Sequence, residues 1–130
     1  MTSRDAVHTD AAPAAAGPYS QAIRAGDLVF TAGQLGLDPA TGEFAGAGVA
    51  AQAERALRNL EAILQAAGSG MDRLVKVTVY LADIGDWPAV NDVYARLVPE
   101  PYPARSAFAV RDLPRGARVE IEAVAAVGAG

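Results

Sequence analysis

The chain has 130 residues, of which 52% are hydrophobic and 20% are charged. That length and balance are typical of one globular domain and exclude a disordered chain. Because the sequence contains no cysteine, it excludes a disulfide framework, a thiolate nucleophile and a zinc-thiolate site. The one histidine, His8, argues against a serine-histidine relay or a two-histidine metal centre, so we expect no metal site.

The formal net charge of −4 argues against a nucleic-acid partner, and no basic cluster reverses it locally. Residues 1–16 lack the uninterrupted apolar stretch of a secretory signal. No window approaches the roughly 18 apolar residues of a membrane span. We therefore expect a cytoplasmic protein with no membrane partner, built as a single domain over residues 1–130, with residues 1–16 partly flexible.

Two short strands are predicted first. A turn at Gly17-Pro18 precedes a strand over residues 20–24, and a reversal at 25–27 leads into the β-branched and aromatic run at 28–33. Residues 38–42 have the composition of a loop.

Residues 49–67 have the period of an amphipathic helix that ends at Gly68. Apolar residues three and four apart form the face that we expect to be buried. Gln52 and Asn59 fall on the opposite face, which we expect to be solvated, and Glu54 and Arg58 are spaced for an i,i+4 ion pair. The predicted buried residues are Val49, Ala53, Ala56, Leu57, Leu60, Ile63, Leu64 and Ala67.

A strand over residues 73–81 follows, with Val75, Val77, Val79 and Leu81 predicted on one side. A second helix is expected to begin with Asp86 as its cap, and strands are predicted at 104–110 and 117–127. The order β-β-α-β-α-β-β indicates an α+β fold with both helices on one face of a sheet. The other face, on which we place Ala22, Lys76, Thr78 and Tyr80, would either pack against another subunit or face solvent.

Arg105 introduces an apolar strand, and Glu120 and Glu122 share one face of the last strand. If these two strands form a hairpin about Leu113-Pro114, Ala107 lies opposite Glu120 and Arg105 opposite Glu122. The three charged groups would then share a surface beside small alanines. Such a set is either a cross-strand ion pair that sets register, or a site in which Arg105 grips a substrate carboxylate and Glu120 positions a water molecule.

Three further residues are candidates with equally ordinary alternatives. Tyr19 is either a core aromatic or a hydroxyl donor at a pocket. Asn91 either faces water or holds a neighbouring loop. Gly33 closes a strand and permits close approach to the backbone. No phosphate loop, dinucleotide fingerprint or nucleophile elbow is present, so we expect no cofactor.

Six segments, in the same order and over essentially the whole chain, resemble the RidA (YjgF) family of imine deaminases. The most specific parts of this resemblance are the Pro-Ala-Arg-Ser and Glu-Ile-Glu-Ala segments. The six are Gly17-Pro18-Tyr19-Ser20-Gln21-Ala22, Thr31-Ala32-Gly33-Gln34, Asp38-Pro39-Ala40-Thr41-Gly42, Val75-Lys76-Val77-Thr78-Val79-Tyr80-Leu81, Pro103-Ala104-Arg105-Ser106 and Val119-Glu120-Ile121-Glu122-Ala123.

The resemblance implies a chorismate-mutase-like subunit in a homotrimer with a central barrel, helices outside and ligand clefts between subunits. It implies that Arg105 binds the carboxylate of a 2-imino acid and that Glu120 orients the hydrolytic water. It also implies that Tyr19, Asn91 and the backbone of Gly33 line the cleft. The activity implied is hydrolysis of reactive 2-imino acids to 2-oxo acids and ammonia, without a cofactor.

Two positions depart from the family pattern. Ala32 stands where serine is common, and Ala107, itself expected to line the substrate pocket, stands where cysteine is common. Neither side chain is needed for a mechanism based on arginine, carboxylate and water, but both changes bear on substrate preference. A deaminase of a larger imine, a non-catalytic binder of 2-oxo acids and a ribonuclease or translation inhibitor therefore remain as alternatives, the last opposed by the acidic charge balance.

Overall fold

The computed structural model describes residues 3–127. One mixed sheet of seven strands carries two helices, joined by single 3₁₀ turns at Met71–Arg73, Ile84–Asp86 and Pro114–Gly116. The elements are β1 (Arg4–Val7), β2 (Ala22–Ala25), β3 (Leu28–Thr31), β4 (Gln34–Leu35), α1 (Val49–Ala66), β5 (Leu74–Leu81), α2 (Trp87–Leu97), β6 (Ala104–Ala109) and β7 (Val119–Ala126).

The predicted α+β class and the seven predicted elements are confirmed, and two strands were missed. β1 lies within the first sixteen residues and pairs antiparallel with β2. β4 is only two residues long and pairs with β7. β1 carries no apolar alternation and β4 is too short to have a period, so neither had a signal in the sequence.

The sheet order is β1-β2-β3-β7-β5-β6, with β4 beside β7. The β5 and β6 strands run parallel because α2 connects them as a crossover, and the other pairs described are antiparallel. The hairpin predicted between the last two strands is therefore wrong, since β5 lies between β6 and β7. In the observed register Arg105 pairs with Val77, Glu122 with Thr78 and Glu120 with Tyr80.

The buried face of α1 is confirmed at all eight predicted positions. Gln52 and Asn59, expected in solvent, are buried, because each hydrogen-bonds to backbone beside the helix. The predicted Glu54–Arg58 pair is also wrong. Arg58 instead contacts Glu61 at 3.4 Å, and Glu54 contacts Arg96 of α2 at 3.7 Å.

α2 begins as predicted after Asp86, but the Asp86 carboxylate does not cap the helix. It accepts two hydrogen bonds, at 2.8 and 3.0 Å, from Nη2 of Arg118. Both helices pack on the face of the sheet that carries Val77, Val79 and Leu81. Val75 does not share that face and is exposed, because the β5–β7 register shifts beside it.

The opposite face of the sheet, here called the open face, is uncovered. It carries Lys76, Thr78, Tyr80, Phe108 and Glu122, and Phe30 and Phe108 each remain 45% exposed. Tyr80 donates a hydrogen bond to Glu122 and stacks edge-on against Phe108. That hydrogen bond, together with burial and the charges of Glu122 and Glu120, raises the pKa of Tyr80 to about 12.

Ala22, expected on the open face, is instead buried on the helix side with Val29, Ile63 and Leu64. Its partner in β3, Thr31, turns to the same side, and its hydroxyl accepts a hydrogen bond from the amide of Ala123. Neither α1 nor α2 is long and apolar enough to cross a lipid bilayer.

Candidate functional site

Two clefts contain most of the predicted site residues. The larger, of about 750 Å³, is lined by Tyr19, Gly33 and Glu120, together with Asp38 and Arg115. The smaller, of about 400 Å³, is lined by Asn91 and Arg105, with Tyr94 and Tyr102. The chain therefore divides the predicted site residues between two places on its surface.

Glu120 lies in the middle of the sheet, between Leu35 of β4 and Tyr80 of β5. Its carboxylate is half-buried in the larger cleft. Burial raises the pKa of Glu120 above its ordinary value, and the nearby charge of Glu122 raises it further. A carboxylate with a raised pKa is better able to take a proton from water near neutral pH.

Gly33 is the residue against which the Glu120 carboxylate packs. A Cβ on Gly33 would stand 2.7 Å from Cδ of Glu120 and would overlap its carboxylate oxygen. The predicted close approach to this backbone is thus made by a side chain of the same chain. A glycine is required here for space, since its φ lies outside the left-handed region.

Tyr19 is 53% exposed at the rim of the larger cleft. Its hydroxyl oxygen accepts a hydrogen bond from the amide of Ala16 at 3.2 Å, which leaves the phenolic proton free to donate. The interpretation of Tyr19 as a core aromatic is therefore wrong.

Gln21 supports the same rim and was not recognised as important from the sequence. It is buried, and its amide bonds to the backbone of Thr9 and to the carbonyl of Pro13 at 2.8 Å. These bonds hold residues 9–13 against the sheet and place Pro13 in the cleft wall.

Arg105 projects from β6 toward the helix side of the sheet. Its Nη1 donates to Oδ1 of Asn91 at 2.9 Å. The guanidinium carbon lies 4.6 Å from the ring centroid of Trp87 and 4.7 Å from that of Tyr94. Asn91 thus holds Arg105 and not a neighbouring loop. The two aromatic contacts were missed, although positions 87, 91 and 94 share one face of a helix.

Within one chain Arg105 and Glu120 do not meet. Arg105 shares the helix side with Val77, whereas Glu120 shares the open face with Tyr80, and β5 separates their strands. The surface on which the sequence placed Arg105 with both carboxylates, and the cross-strand ion pair offered as its alternative, are therefore both wrong.

The two positions that depart from the family pattern have different surroundings. Ala32 lines the larger cleft, and its amide donates to the carbonyl of Gln21. Ala107 pairs with Val79 and packs against the helix-side core. Among residues 3–127 it is not part of the lining of either cleft, so its contact with a ligand stays a prediction.

Arg115 was also missed. It is the one basic side chain lining the larger cleft in the described part of the chain, and its guanidinium lies 5.6 Å from the ring centroid of Phe44. Its backbone has a φ of 59°, a left-handed conformation that is uncommon for a residue other than glycine.

Comparison with known families gives one result over nearly the whole chain. Residues 9–127 match the family model described as Endoribonuclease L-PSP. The chain belongs to this family. The resemblance to RidA (YjgF) proteins is thereby confirmed, and the relatives carry the names of deaminases as well as of endoribonucleases.

Three relatives illustrate the similarity. The 2-iminobutanoate/2-iminopropanoate deaminase of Bos taurus is 50% identical over 125 residues, covering 96% of this chain and 91% of the relative. The crystal structure of RidA from Psychrobacter sp. PAMC 21119 superposes with a TM-score of 0.91 at 45% identity, covering 95% and 99% of the two chains. The structure of E. coli TdcF with bound serine has a TM-score of 0.91 at 38% identity and the same coverage.

Proposed function

We propose that the protein hydrolyses 2-imino acids to 2-oxo acids and ammonia. Relatives about half identical over nearly their whole length are named for this activity on 2-iminobutanoate and 2-iminopropanoate. The observation that carries the proposal is the pair of surface clefts, one with a guanidinium held on aromatic rings and one with a carboxylate of raised pKa. A 2-imino acid needs both groups, one for its carboxylate and one for the attacking water.

The active unit we propose is a homotrimer. The open face exposes Phe30 and Phe108, which favours burial against other copies. Three sheets packed by their open faces would form a central barrel with the helices outside. The larger cleft of one subunit would then face the smaller cleft of the next, and Arg105 of one would meet Glu120 of the other.

In this arrangement Arg105 grips the substrate carboxylate with the N–H groups that Asn91 does not use. Glu120 orients water toward the C=N carbon and takes its proton as the new C–O bond forms. It returns this proton to nitrogen, which completes a carbinolamine. Glu120 then takes the proton of the carbinolamine hydroxyl and passes it to the nitrogen as the C–N bond breaks, so that ammonia leaves with the 2-oxo acid. Tyr19, at the rim of the larger cleft, donates a hydrogen bond to the bound substrate through its phenolic O–H. The hydrolysis moves no electrons to a carrier and needs no cofactor.

Turnover tests the roles of the two charged residues. The imine is generated in situ from an amino acid with an amino-acid oxidase, and the imine that has not been hydrolysed is trapped with semicarbazide. Arg105→Ala should abolish the protein-dependent loss of trappable imine. Arg105→Lys should lose much of the activity, because a point charge cannot make the bidentate contact. Glu120→Gln should slow hydrolysis more than it weakens binding of a 2-oxo acid. Full activity in Arg105→Ala would refute the proposal.

Subunit complementation tests where the site forms. When Arg105→Ala and Glu120→Gln chains are co-expressed in equal amounts, a site between subunits has both native residues in about one case in four. Activity should therefore return to about a quarter of the wild-type value. If each chain formed its own site, every site would lack one residue, and the mixture would be no more active than the mean of the two variants measured separately.

A larger imine is the second candidate substrate, and the size of the larger cleft favours it. About 750 Å³ is more than a three- or four-carbon acid requires, and Ala32 leaves part of that wall apolar. Comparing kcat/KM for short and bulky 2-imino acids decides between them. A protein that binds 2-oxo acids but does not accelerate imine loss is a binder only. Ribonuclease activity is opposed by the net charge of −4.

A further inference from the structure

We infer that Trp87 and Tyr94 are positioning residues for Arg105, holding its guanidinium plane ready for a carboxylate before any ligand arrives. The inference rests on the proposed role of Arg105, but it concerns residues of α2 that lie behind the guanidinium.

Three side chains of α2 contact the guanidinium of Arg105 on β6. Trp87, Asn91 and Tyr94 are separated by four and three residues, so their side chains project from one face of α2. All three contact the same group: the rings at 4.6 and 4.7 Å from the guanidinium carbon, and Oδ1 of Asn91 at 2.9 Å from Nη1. Three contacts from one rigid element restrict the position of a side chain that would otherwise sample many rotamers.

The choice of aromatic partners leaves the ligand-binding edge of Arg105 free. An acidic partner would occupy the N–H groups and neutralise the charge, and Arg105 takes part in no ion pair within residues 3–127. A ring binds the flat face of a guanidinium, whose N–H donors lie in the plane at right angles to that contact. The cluster therefore fixes Arg105 and keeps most of its donors available, which is preorganisation for a planar anion.

The rings of Tyr94 and Trp87 differ in burial, and this difference decides which of the two is replaced in the test. Tyr94 is 3% exposed, and its hydroxyl is buried with no hydrogen-bond partner in the described part of the chain. Burial raises the pKa of Tyr94, partly opposed by the charge of Arg105. Trp87 is only partly buried, at the edge of the core, so it can be replaced with less risk to the fold.

The test compares two apolar replacements of Trp87. Trp87→Phe keeps an aromatic face under the guanidinium, whereas Trp87→Leu keeps apolar packing without one. We expect Trp87→Leu to raise KM for the imine, and Kd for 2-oxobutanoate, about tenfold with a smaller change in kcat, and Trp87→Phe to stay near wild type. If Trp87→Leu does not fold, Trp87→Met takes its place.

A readout independent of turnover separates this inference from the proposed function. The Nε–Hε signal of Arg105, observed by NMR with labelled arginine and assigned by its loss in Arg105→Ala, should be shifted by the rings and sharp in wild type and in Trp87→Phe. It should move toward the position of a free arginine in Trp87→Leu. This result supports the positioning role even if no imine is hydrolysed. The same signal and the same affinities in Trp87→Leu and Trp87→Phe would overturn it.

Discussion

Gly33 and Glu120 lie so close together that a side chain at position 33 would overlap the Glu120 carboxylate. A Cβ at Gly33 would stand 2.7 Å from Glu120 Cδ, with the carboxylate oxygen closer still. Three positions further on, a Cβ at Gly36 would stand 2.5 Å from Cα of Gln52 in α1. The first neighbour is the end of a flexible side chain and the second is helix backbone, so the two glycines make different predictions.

Gly33→Ala should damage activity and leave the fold intact. The new methyl group displaces the Glu120 carboxylate, which can rotate away at a cost of about 1 kcal/mol. A displaced carboxylate no longer orients water, and kcat should fall by about 10²-fold or more. Urea unfolding and the imine-trapping assay measure the two effects. Gly48→Ala, which meets no atom within 4 Å, is the control, and an active Gly33→Ala enzyme would contradict the assignment.

Gly36→Ala should instead lower the stability of the fold. Its methyl group meets the backbone of α1, so β4 and the helix must separate or the chain must strain, and the free energy of unfolding should drop by about 1–3 kcal/mol. Denaturant midpoints at matched protein concentration give the loss. A variant as stable as Gly48→Ala would show that the strand and the helix shift apart without cost.

The raised pKa of Glu120 predicts how activity depends on pH. The deprotonated carboxylate takes the proton from water, so kcat/KM should fall with decreasing pH, with a midpoint above the ordinary glutamate value of 4.5. Glu122→Gln removes one of the two causes and should move this acid limb to lower pH. Glu100→Gln, an exposed residue outside both clefts, should leave it in place. An unmoved limb in Glu122→Gln would refute the electrostatic coupling.

The raised pKa of Glu120 also makes the free energy of unfolding depend on pH. The direction is opposite to that for an acid in a salt bridge, whose pKa is lowered on folding. A carboxyl whose pKa is raised on folding stabilises the folded state at low pH, and this contribution is lost as pH rises through the raised pKa. Glu120→Gln should therefore increase stability relative to wild type at neutral pH, and the difference should disappear in acid. Urea unfolding at several pH values measures it, and a variant less stable at pH 7 contradicts it.

Asn59→Leu should destabilise the wall of the larger cleft. Asn59 is fully buried, and its amide donates to the carbonyls of Leu35 and Leu37 at 3.2 and 2.9 Å. Leucine has a similar size but leaves both acceptors without their donor, which should cost about 2–4 kcal/mol. Arg58→Leu on the exposed side of α1 is the matched control. Equal unfolding midpoints for the two variants would show that water replaces the amide.

Local periodicity in the sequence was sufficient for the class of the fold and for most elements. The spacing of apolar residues correctly predicted eight buried positions in and directly after α1, because apolar residues repeat on the side of a helix that packs against the core. The pattern did not predict the burial of Gln52 and Asn59. Their side chains are buried because they form hydrogen bonds with backbone groups of distant segments, and the local sequence does not show where those groups lie.

Alternation likewise predicted which residues of β6 and β7 share a face, but not which strands are neighbours. Strand pairing is decided by contacts between segments far apart in the chain, and here the strongly apolar β5 took the central place between the two. Motifs along the chain were enough to determine the family and to single out Arg105 and Glu120 as candidate site residues. Only the tertiary structure placed these two on opposite faces of one sheet, because a single inserted strand separates them and α2 holds the arginine on its own side.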